Sequence, residues 1–195
     1  MPRLSKSDLN AVTRGTTYNQ RDFLLKRFAE DTSQSTYDIF LSHSYLDKDT
    51  ILQLNYLLEE VFGFSVYVDW IENPGLDRQN VTAETAEELK SAMDRSETLI
   101  YAISSKSSSS KWMPWELGYS DARHGRVAVL PIDDVEQTVV AYNHQEFVFI
   151  YPIADYAEGP AKKKFFWVND QTDPTRYISL DKWIKWKRGE PLPKH

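Results

Sequence analysis

Between residues 37 and 131 the chain alternates short apolar runs with stretches of helical period. In "YDIFLSHS", Ile39 and Leu41 flank Phe40, which predicts a buried parallel strand. Ser44 and Asp47 follow in the Ser-x-x-Asp spacing of a capping box. "TILQLNYLLEEVFG" places Ile51, Leu54, Leu58 and Val61 on one helix face, and Gly63 is a natural stop. "FSVYVDW" predicts a second strand and "IENPGLDRQNV" a loop, with Pro74-Gly75 as its turn signal. Thr82 caps a helix through "AETAEELKSAMDRS", whose stripe is Ala86, Leu89 and Met93. "TLIYAIS" is a third strand, "SKSSSSK" a polar loop, "KWMPWELGYSDARHG" a helix ended by Gly125, and "RVAVLPI" a fourth strand. Strands alternating with helices at this spacing predict an α/β fold, a parallel sheet with helices on both faces. Ligands of such sheets bind beyond the carboxyl ends of the strands, so the loops after Ser42, Asp69 and Ser104 form the candidate functional edge.

The flanks are less regular. Residues 1–36 are polar, with one helical patch, "NQRDFLLKRFAED", in which Phe23, Leu24, Phe28 and Ala29 recur near helical spacing. "TSQST" then reads as a linker. After residue 135, "EFVFIYPI" and "KFFWV" read as strands and "SLDKWIKWKRG" as a closing helix.

Composition narrows the function. The 195 residues suit one globular domain, 41% hydrophobic and 27% charged, large enough to bury a core without staples. With no cysteine, disulfides, thiolate zinc sites and cysteine nucleophiles are excluded. The four histidines have no metal-ligand spacing. A net charge of −6 argues against nucleic acid as a partner. No apolar run is long enough for a membrane span, and the amino terminus lacks a signal-peptide pattern, so the expected location is cytoplasmic.

One carboxylate stands out. On a helix, Trp112, Glu116, Tyr119 and Ser120 share a face. A glutamate beside indole is partly desolvated, which changes its reactivity. A glutamate near a helix start, with Pro114 in the first turn, is equally an ordinary structural residue. Spacing alone leaves both readings open.

Taken in order, "YDIFLSHS", "GFSVYVDW" with its Pro-Gly loop, and "WMPWELGYSDARHG" before "RVAVLPI" resemble the Toll/interleukin-1 receptor (TIR) domain of the bacterial NAD-cleaving type. The likeness covers about residues 37–135. Asp38 to His43 match the family's first box, Val66 to Asp69 its second strand, and Ile71 to Val81 its BB loop. Trp112-Met113-Pro114-Trp115-Glu116-Leu117 matches the third motif. The resemblance implies a flavodoxin-like sheet in a domain over residues 37–195, with core motifs in 37–135, a divergent part from 136 to 195, and an amino-terminal helical extension over 1–36.

It also implies an activity, cleavage of the nicotinamide–ribose bond of NAD. The products would be nicotinamide and ADP-ribose, or a cyclic or conjugated ADP-ribose signal. The family's catalytic glutamate falls on Glu116, where a carboxylate stabilises an oxocarbenium-like ribosyl cation. Trp112 would stack on a ring or exclude water. Ser42, His43, Ser44 and Tyr45 after the first strand, and Asp69 after the second, are expected substrate-binding residues. His43 would donate to a phosphate and Asp69 would hold a ribose hydroxyl; Arg78 is a further phosphate candidate.

Three positions depart from the pattern. Met113 replaces the family's common cysteine. Ser44 and Tyr45 stand where some members carry arginines, so phosphate contacts fall to hydroxyls, backbone amides or another cation. NAD is expected as substrate, with no cofactor and no metal. A likeness to the signal-making component of anti-phage systems such as Thoeris implies a separate effector protein activated by the product. Self-association through the BB loop is expected. Two other readings stand beside this one: a non-catalytic TIR interaction module, and a nucleoside deoxyribosyltransferase-like enzyme.

Overall fold

Alternation along the central strands decides how the molecule is layered. In β2 (Tyr37–Ser42), Ile39 and Leu41 enter the core on one face of the sheet and Phe40 the core on the other. The computed structural model describes residues 3–15, 18–29, 35–73, 82–133 and 146–195. In β4 (Ser96–Ile103), Ile100 and Ala102 join the first core while Leu99, Tyr101 and Ile103 join the second. β5 (Val127–Asp133) divides in the same way. Strands buried on both faces must be covered on both. α1 (Lys6–Arg14), α3 (Lys48–Tyr56) and α7 (Leu180–Trp183) contribute Leu9, Leu54 and Trp183 to the first core. α5 (Ala83–Asp94) and α6 (Trp112–Arg123) contribute Leu89, Met93, Met113 and Leu117 to the second.

The sheet runs β3-β2-β4-β5-β6-β7-β8, with β1 (Leu4–Ser5) beside β5. β3 is Val66–Tyr67, β6 Ile153–Glu158, β7 Lys164–Asn169 and β8 Tyr177–Ser179. Pairings from β3 to β6 are parallel, and β7 and β8 add antiparallel. The five parallel strands follow the flavodoxin-like order 2-1-3-4-5. α2 (Gln20–Ala29) forms within the predicted patch and buries Phe23. The segment before it is also ordered by sequence. Ser5 leaves β1 as the N-cap of α1, and Asp8 completes the capping box.

Several expected elements differ. The predicted face of α3 holds through Leu58, but Val61 is 50% exposed. Leu57–Val61 closes a π turn, with Phe62 N–H bonded to the Leu57 carbonyl, and the wider turn rotates Val61 out. The second strand is short, because Asp69 already begins α4 (Asp69–Glu72). In "EFVFIYPI" the expected strand starts late. Glu146–Ile150 is a 3-10 turn, Pro152 lacks an N–H, and β6 begins at Ile153. "KFFWV" lies in β7 as expected, whereas the closing helix is one turn, Leu180–Trp183. Residues 74–81 lie outside the described residues, and with them Pro74, Gly75, Arg78 and most of the segment expected to mediate self-contact.

Candidate functional site

Ser42 ends β2, and the two-residue period turns its side chain to the face covered by α6. On α6, the helical period brings Met113, Glu116, Leu117 and Ser120 to the sheet. The two polar residues meet there, Ser42 Oγ donating to Glu116 Oε2 at 2.6 Å. Both side chains are fully buried. Glu116 is thus a carboxylate held in a low-dielectric place, not a solvated residue of a helix start.

The topology explains why this is a site. From β2 the chain crosses to β3 on one side, then returns past β2 to β4 on the other. The crevice beyond the carboxyl ends of β2 and β4 is the switch point of the sheet. Its lips are the turn after β2 and the loop after β4. The first lip is a 3-10 turn, Tyr45–Asp47, where Ser44 Oγ accepts from Leu46 N–H at 3.3 Å. The expected capping box does not close. The Asp47 carboxylate instead reaches across the crevice and accepts from Ser104 Oγ at 2.5 Å. Lys106 makes a second tie, donating to the Leu46 carbonyl at 3.0 Å.

The other expected residues are placed differently. His43 turns toward the residues that follow β3. Its Nδ1 lies 2.8 Å from the Leu41 carbonyl, and its Nε2 accepts from Trp70 Nε1 at 2.9 Å. These partners fix a neutral ring with the proton on Nδ1. Asp69 Oδ1 is 3.7 Å from Nε2, and both side chains are buried. His43 and Asp69 are therefore brought together with Trp70, while Ser42 and Glu116 form their own pair. Tyr45 is half exposed under the Lys48 ammonium, which lies 3.7 Å from its ring centroid. Trp112 packs edge-on to Trp115 at 5.4 Å between centroids, and Trp115 stacks on Tyr119.

Sequence reasoning did not name Trp70 and Lys106, and it placed Asp47 only in a cap and Ser104 only at a strand end, without the bonds they make across the crevice. Their contacts span 27 to 60 positions and leave no local signal. A cavity of about 270 Å³ lies beside the first residue of β2, lined in part by Tyr37, Tyr67 and Arg95. Its glutamates, Glu72 and Glu88, oppose an anionic ligand, and burial together with Glu72 pushes the Tyr37 phenol up to about 12.

The sequence model of the TIR domain matches residues 39–155, more than half of the chain. The chain belongs to the TIR domain family. Its matched part runs from β2 into β6 and so contains every residue of the crevice. The chain is 38% identical over 174 residues to a Bacillus cereus (strain MSX-D12) protein named probable 3′ cyclic ADP-D-ribose synthase ThsB′, covering 85% of this chain and 84% of that one. It is 29% identical over 132 residues to the putative cyclic ADP-D-ribose synthase TIR2 of Cytobacillus dafuensis, covering 60% of this chain and 35% of that one.

Proposed function

We propose that this TIR domain splits the nicotinamide–ribose bond of NAD, with Glu116 as the catalytic carboxylate, and closes the remaining ADP-ribose into a cyclic product. The observation that carries the reading is the buried Glu116 carboxylate at the switch point, held by Ser42 at 2.6 Å. The names of the two relatives support the same product class.

The chemistry follows from the group. The bond from ribose C1 to the nicotinamide nitrogen breaks, and its electron pair leaves with nicotinamide, which departs neutral without needing a proton. Positive charge then spreads over C1 and the ring oxygen. A carboxylate already fixed in a low-dielectric site stabilises that charge with little reorganisation. A hydroxyl of the adenosine ribose next bonds to C1 and gives up its proton, for which Glu116 is the available acceptor. Water attacking instead gives ADP-ribose.

A cyclic product leaves the enzyme, so its reader is a separate effector protein. This reading locates the enzyme in the cytoplasm, where NAD is available. Among the described residues no helix is long and apolar enough to cross a membrane. The test is mass spectrometry of NAD incubated with the protein and with Glu116→Gln. The wild type should release nicotinamide and a product isobaric with dehydrated ADP-ribose. The isosteric variant should lose the rate by on the order of 10³-fold. Equal turnover by the variant would return Glu116 to a structural role.

A further inference from the structure

Among the described residues near the lips, Lys48 and Lys106 hold positions that are not equivalent. Lys48 lies on the β3 side of the turn, over Tyr45 and 5.0 Å from the Trp70 ring. Lys106 lies on the β4 side, in the crevice itself. Its ammonium donates to the Leu46 carbonyl at 3.0 Å and forms an ion pair with Asp47, 3.8 Å from Oδ1 and too long for a hydrogen bond. About half of its side chain is exposed. An ammonium has three donors, and a neutral carbonyl is a weaker partner than a phosphate oxygen. The loop beneath it is firmly held. Ser104 Oγ bonds Asp47 at 2.5 Å and accepts from Lys106 N–H at 3.0 Å, and Ser104 N–H bonds Ser107 Oγ at 2.8 Å.

A dinucleotide with its reacting ribose carbon at Glu116 carries its diphosphate about one ribose farther out, and one of these lips is the turn that follows Ser42, the residue bonded to Glu116. We propose that Lys106 binds the diphosphate of the substrate, exchanging the Leu46 carbonyl for a phosphate oxygen, and that the Asp47–Ser104 bond holds its loop in place. The inference takes the chemistry of its ligand from the NAD reading, but its test does not depend on turnover. Lys106 then fills the place that the missing arginines after the first strand leave open, from a different strand.

Calorimetric titration with ADP-ribose and with adenosine tests this directly. Lys106→Met should weaken ADP-ribose roughly 10- to 100-fold, the loss expected for one charge-assisted bond, and leave adenosine unchanged. Lys106→Arg should stay within about threefold of the wild type, because it keeps the charge and donors. Lys48→Met should also stay within about threefold, because its ammonium sits over Tyr45 on the β3 side, away from Lys106. Unaltered ADP-ribose affinity in Lys106→Met, equal loss for both ligands, or no ADP-ribose binding by the wild type would each overturn the proposal. Nicotinamide release decides the function separately. Binding through Lys106 without release keeps this inference and sinks the enzymatic reading. Release with Lys106→Met unchanged in KM does the reverse.

Discussion

The hydroxyl of Ser42 is where strand geometry and chemistry meet. Its hydrogen bond fixes one oxygen of a carboxylate whose burial would otherwise be costly. Ser42 is an expected substrate-binding residue; its bond to Glu116 adds a second role, orienting the carboxylate that we propose as catalytic. Ser42→Ala should therefore lower kcat for nicotinamide release by about 10- to 100-fold while KM changes little, and Ser42→Thr should recover most of the rate. A rise in KM at constant kcat would show instead that Ser42 binds substrate. Glu116 itself was legible through the aromatic motif around it and the resemblance that motif carries. Its partner was not, because the bond joins positions 74 apart and depends on which face of β2 Ser42 presents. His43 shows the opposite case. Its place after the strand suggested a phosphate donor, yet both ring nitrogens face groups of the protein itself.

Elements that periodicity described well are those buried on one face at regular helical pitch or on both faces as strands. α5 is an example, with Thr82 capping it through Thr85 N–H and Leu89 and Met93 buried. Where pitch changes, the reading fails, as at the π turn of Leu57–Val61, because apolar spacing cannot report an added residue per turn. The amino-terminal helices gave little warning of how they dock. α2 sends Arg27 into a nearly closed pocket, where it pairs with Glu59 at 3.4 Å and with Glu72 of α4, and bonds the Val66 carbonyl at 3.3 Å. All three charged side chains are about one-tenth exposed. One cation thus ties α2 to the end of α3, to β3 and to α4. Arg27→Met would leave two buried carboxylates facing each other, and should destabilise the protein by ~3 kcal/mol in urea unfolding. Adding Glu72→Gln to that variant should restore part of the loss. No recovery would mean that Arg27 acts through packing of its stem alone.

Across the whole molecule, a buried carboxyl and a half-buried imidazole set opposing responses to pH. Asp155 lies in β6, 4% exposed, and its Oδ1 has no hydrogen-bond partner among the described residues. Burial raises its carboxyl from 3.8 to about 6, with Asn169 offsetting part of the rise. Between these values the folded state binds more protons than the unfolded one, so stability falls as pH rises through about 6. His124 caps the end of α6, at the other edge of the sheet from the crevice. Burial, then Arg126, Arg123 and Arg188, lower its imidazole from 6.5 to about 4. There the unfolded state binds more protons, so stability falls as pH drops from 6.5 toward 4. The two slopes oppose each other between about pH 4 and 6. Removing either group should expose the other. Asp155→Asn should stabilise the protein at pH 7 by ~2 kcal/mol, and the gain should shrink toward zero near pH 4. His124→Gln should instead flatten the acid side, holding stability better at pH 5 than at pH 7 relative to the wild type. Urea unfolding of the three proteins at pH 5, 6 and 7 reads both slopes. A gain in Asp155→Asn that is the same at every pH would mean that its carboxyl is not the proton-binding group. Because neither residue touches Glu116, Ser42 or Lys106, these variants should keep the pH dependence of nicotinamide release while changing that of stability. That separation distinguishes titration of the fold from titration of the site.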